Sequence, residues 1–168
     1  MGNVATAAVG RVREQGAEQA LRAGTRLMGA GAVGFIGYAA IFFVLNFTDS
    51  FLELGIGPNE VDVGKDEIVG FSPSLFHYVG HLHIAVAGFI AATAVAVLFL
   101  LRYVRQGDAW AWVGAVSAPV VGLAVALPAH YPNDFDTIGH LGLVYLGTLI
   151  FVVGALVALR GILAHRRG

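Results

Sequence analysis

Leu27 to Phe47 reads L-M-G-A-G-A-V-G-F-I-G-Y-A-A-I-F-F-V-L-N-F, without a single charged residue. A helix of this length rises about 30 Å, the thickness of the hydrocarbon core of a bilayer. Backbone amides and carbonyls find no water in that layer, so the chain must satisfy them internally, and a helix does so within one segment. The stretch therefore predicts a membrane-spanning helix. Three more runs repeat the pattern: Ile84 to Leu101, on a helix that starts near Pro73, then Trp110 to Leu127 and Leu141 to Leu159. The expected fold is all-α, a polytopic membrane protein with four transmembrane helices in an up-down bundle. In the first span Ala30, Gly31, Gly34, Gly37 and Ala40 are small enough to let membrane helices approach closely.

The whole chain agrees with that class. Of its 168 residues, 57% are hydrophobic and only 12% are charged, a balance that belongs to integral membrane proteins. It contains no cysteine, which excludes disulfides, thiolate metal sites, iron–sulfur clusters and thiol redox chemistry. No Asp, Glu, Lys or Arg interrupts any of the four apolar runs, so a proton or ion path has no charged stepping stones. No P-loop, G-x-G-x-x-G or G-x-S-x-G motif occurs, and no basic aromatic surface suggests nucleic acid. Residues 1 to 10 are small and weakly apolar with no h-region behind them, so no cleaved signal peptide is expected.

Charge is sorted by position. Arg11, Arg13, Arg22 and Arg26 precede the first span, Arg102 and Arg105 separate the second from the third, and Arg160, Arg166 and Arg167 follow the fourth. Only Lys65 stands on the opposite side. The positive-inside rule then predicts a protein of the cell inner membrane with both termini cytoplasmic, N-in and C-in. Residues 1–26 form a cytoplasmic N-terminal segment in this reading, either with an interfacial amphipathic helix over Val9 to Arg26 or as a solvated, partly frayed tail. Residues 27–168 form the transmembrane domain.

The other side gathers Asp49, Glu53, Glu60, Asp62, Asp66, Glu67, Asp134 and Asp136 with five of the six histidines. His77 and His81 are four apart and share one helix face, which continues through Ile84, Gly88, Ala92 and Val95. The Gly88 and Ala92 pair predicts that this face turns inward. The face of His140 runs through Val144, Gly147, Phe151, Ala155 and Ala158 and predicts an inward histidine as well. Helix ends in a bundle meet, so His77, His81, His140 and His130 are candidate ligands for zinc, copper or non-haem iron. Asp49, Glu53 and Asp136 would complete the coordination or orient the imidazoles. Alternatively His81 or His83 pairs with His140 as axial ligands of haem b. Either site would serve electron transfer or a metal-assisted reaction on a small or lipophilic molecule.

A second reading needs no cofactor. Histidine at a bilayer boundary caps helices, bonds headgroups or pairs with Asp134 or Asp136, and the small-residue content equally suits a partner membrane subunit or a homo-oligomer. The chain would then be a structural or accessory subunit, or an assembly factor.

Overall fold

The computed structural model describes residues 2–49, 51, 54–133 and 135–166, with side chains from residue 10 onward except that of residue 133. Four long apolar helices form the bundle: α1 (Gly2–Thr48), α3 (Pro73–Val104), α4 (Ala109–Ala126) and α5 (Ile138–His165). A short helix, α2 (Lys65–Phe71), lies in the α1–α3 connection, and two 3-10 turns, Leu127–Ala129 and Tyr131–Asn133, join α4 to α5. Among the described residues there is no strand. By length and composition all four long helices can cross a membrane.

α1 and α5 form the tightest pair, and glycine makes it so. Ala17, Leu21, Gly24, Met28, Gly31 and Phe35 recur at spacings of four and three along α1, as do Gly147, Phe151, Gly154, Ala158 and Gly161 along α5. Such a repeat keeps one seam against a partner helix. A Cβ on Gly24 would collide with the backbone of Ala158, and one on Gly154 would stand 2.6 Å from Met28 N. Gly161 likewise faces Leu21 N at 2.9 Å. Residue numbers rise on one helix as they fall on the other, so the pair is antiparallel. A Cβ on Gly107, in the α3–α4 turn at φ +90°, would lie 3.2 Å from His165 Cδ2. That turn and the end of α5 therefore share one end of the bundle with the start of α1. The up-down order follows.

α3 packs on the flank of α1 through Gly80, His83, Ala87, Ala94, Val97, Leu101 and Val104, all buried. α4 leans on α3 and touches α5 at its first two turns, where Ala111 and Ala115 are fully buried and Trp112 Nε1 donates to Ala155 O at 2.9 Å. Pro119 sits inside α4, and beyond it Val120, Val121 and Val125 are exposed.

α1 runs unbroken from the N-terminal segment into the first span. Its residues 10–16 are exposed, and packing on α5 begins at Ala17. Arg26 to Asn46 on α1 and Arg160 to His140 on α5 each cover about 30 Å, one hydrocarbon thickness. Arginines thus mark one end of the bundle, and histidines with carboxylates mark the other.

Candidate functional site

The histidine end is built on four helix termini, the ends of α1 and α4 and the starts of α3 and α5. α1 ends at Thr48, and Lys65 caps its last turn: its Nζ donates to Leu45 O at 2.6 Å, which also accepts from Asp49 N at 3.3 Å, and to Asn46 O at 3.1 Å. Burial lowers the Lys65 pKa below its ordinary value, partly opposed by the carboxylate of Asp49. α3 starts at Pro73 with Ser72 as its cap, Ser72 Oγ accepting from Leu75 N at 3.2 Å. α5 starts after Thr137, whose hydroxyl oxygen accepts from His140 N at 3.3 Å. The connection between α1 and α2 passes directly over this start. Gly55 has φ +72°, and a Cβ there would collide with the backbone of Gly139.

Each histidine has a definite place. His140 is 1% exposed, and its Nδ1 lies 2.8 Å from Leu54 O. A carbonyl can only accept, so Nδ1 carries the proton in this bond. His130 Nδ1 donates to Ala126 O at 2.9 Å in the same way, and the His130 and His140 rings stand 5.2 Å apart. Nearby, the Tyr131 and Tyr145 hydroxyls are 3.2 Å apart. His83 is 7% exposed and lies flat on Phe42, ring centroids 3.7 Å apart and planes 20° apart. His77 and His81 are exposed.

These placements correct the expected cofactor site. Among the described residues no three of His, Asp and Glu are gathered where they could hold a metal ion. The pair His77 and His81 shares a face, but that face is the outer one: Gly88 and Ala92 are exposed, with open space around Gly88. α3 uses a different small-residue line for packing, Gly80, Ala87 and Ala94. Its choice is fixed by what it meets, since a Cβ on Gly80 would lie 3.2 Å from the buried Asn46 Oδ1. His140 and His130 meet each other, yet both hold backbone carbonyls, and among the described residues no carboxylate joins them in a ligand set. Asp49 and Asp136 are exposed, and Glu53 lies outside the described residues.

The haem reading is corrected for a related reason. His83 faces Phe42, and α1 packs between α3, which carries His83, and α5, which carries His140. Tyr38, Phe42, Ala87, Leu141 and Val144 close that level as one apolar cluster. His81 turns outward and offers no second axial ligand.

Sequence reasoning used Lys65 only as a charge count and missed its role on the end of α1. The available signal was a lone basic residue on the carboxylate side, within reach of a helix C-terminus. The sequence leaves His81 and His83 as alternatives, whereas His83 is the one in the core. No family model, curated protein or solved structure matches the chain.

Proposed function

We propose that this chain is a non-catalytic accessory subunit or assembly factor of the inner membrane, with N-terminus and C-terminus both cytoplasmic. In this reading residues 1–26 reach into the cytoplasm as the start of α1, and residues 27–168 form the membrane domain. The observation that carries it is the use made of the polar groups at the histidine end. Lys65 holds the terminal carbonyls of α1, His140 holds the loop at Leu54, and His130 holds the end of α4. Glu60 and Glu67 accept from the backbone amides of Gly57 and Gly64, each at 2.9 Å. These side chains fasten the bundle to its own connections, and they do not converge on a substrate.

The second half of α4 is where a partner helix fits. Val120, Val121 and Val125 are exposed, and a Cβ on Gly122 would meet nothing within 4 Å. A neighbouring helix could approach closely there, as membrane helices do at small residues. A photoreactive residue at position 121 or 125, activated in native membranes, is expected to give one discrete protein adduct at both sites. The same probe at Val33, on the far side of α1, is expected to give none. Adducts with lipid alone at all three positions would contradict the proposal.

A further inference from the structure

At the arginine end, α1 and α3 carry two pairs of exposed arginines on either side of their contact. Arg22, Arg26, Gly29 and Val33 follow at spacings of four, three and four and so line one side of α1; Val95, Leu98, Arg102 and Arg105 do the same on α3. The two lines meet at Gly29, whose Cβ would lie 3.5 Å from Leu101 Cδ1 and 4.0 Å from Leu98 Cδ2. The helices run in opposite directions from that contact, so Arg26 falls level with the turn that carries Arg102 and Arg105, and Arg22 about one turn beyond. All four side chains are exposed.

Glu18 Oε2 lies 3.5 Å from Arg22 Nη1, which leaves Arg26, Arg102 and Arg105 in no ion pair among the described residues. Gathering three like charges at one level is unfavourable unless an anion joins them. The guanidinium fork suits phosphate oxygens, which it can bind two at a time. Towards the bilayer the two helices continue this line as uncovered apolar surface. Val33 and Val95 flank it, 58% and 41% exposed, and a Cβ on Gly37 or Gly88 would meet nothing within 4 Å. Tyr103 and Trp110, ring centroids 5.7 Å apart, stand at the same end, where aromatic residues mark the headgroup layer.

We infer that this surface binds an anionic phospholipid, its phosphate held by Arg26, Arg102 and Arg105 and one acyl chain laid along Val33, Gly37, Gly88 and Val95. A lipid satisfies both halves of the surface, whereas free phosphate would use only the arginines. The inference holds whichever way the bundle is oriented and whatever partner it has.

The test uses the full chain in mild detergent with added dioleoyl phosphatidylglycerol, dioleoyl phosphatidylcholine or inorganic phosphate, read by native mass spectrometry and thermal unfolding. Phosphatidylglycerol is expected to remain bound and raise the unfolding midpoint. The triple variant Arg26→Gln, Arg102→Gln, Arg105→Gln is expected to bind it roughly a hundredfold more weakly, at about fivefold per arginine. Arg11→Gln with Arg13→Gln, further out on α1, should leave binding unchanged. Gly88→Leu, which adds bulk to the apolar surface and spares the arginines, should weaken binding of the lipid. Equal binding by the triple variant and the wild type, or an equal effect of phosphatidylcholine or inorganic phosphate, would overturn the assignment.

Discussion

His140 and His81 lie near the same depth at the histidine end, yet one is locked in the bundle and the other stands outside it. Replacing His140 with Leu removes the bond to Leu54 O and leaves that carbonyl to find water, so a loss of about 1–3 kcal/mol is expected. His77→Ala and His81→Ala should each stay within about 0.5 kcal/mol. Unfolding in mixed micelles measures all three, and comparable losses would contradict the assigned roles. Lys65→Met should cost about 1–3 kcal/mol by uncapping α1. The folded pKa of Lys65 is lowered, so the unfolded chain binds the proton more tightly, and stability should rise as pH climbs from that lowered value towards 10.5. Lys65→Met should lack that rise. The shared face of His77 and His81 was legible in the sequence, but the inward turn expected from Gly88 and Ala92 was wrong, because that face is exposed. α3 carries two lines of small residues, and only Asn46 and Phe42 on α1, unknowable from α3 alone, select Gly80 and His83.

Between elements, the α1–α5 seam sets the architecture. Gly24→Ala and Gly154→Ala place a methyl against the opposite backbone and should cost about 1–3 kcal/mol or more. Gly34→Ala and Gly37→Ala add a methyl in open space and should stabilise α1 by up to about 1 kcal/mol, because glycine is a poor helix former. The reverse order in detergent unfolding would place the seam on the wrong face. Four apolar helices were legible from the uncharged runs, because a bilayer demands length and apolarity of every span. Which glycines form contacts was less legible: Gly31 packs on Phe151, while Gly34 and Gly37 in the same stripe face outward. Small size permits close approach on any side, and the partner alone decides which side is used.

For the whole molecule, the two ends carry different chemistry, and the absence of cysteine makes orientation directly measurable. Asn59→Cys, in the α1–α2 connection, should react with a membrane-impermeant maleimide in intact cells. Gln106→Cys, in the α3–α4 turn, should react only after permeabilisation. The opposite pattern would reverse the proposed N-in, C-in arrangement. The candidate site was the least legible feature, since histidines counted at one end are not histidines gathered at one point. Their helix faces and the carbonyls within reach dispersed them. On the proposed function, this polar end holds a bundle together for an accessory subunit. The mass and composition of the particle extracted from native membranes in mild detergent, by light scattering corrected for bound detergent with elemental analysis and an absorption spectrum, test that reading. The expected result is a protein mass above the 17.6 kDa of one chain, with a second polypeptide in fixed ratio and no stoichiometric metal or haem. A lone chain carrying one metal or haem, lost with His81→Ala or His140→Leu, would contradict it.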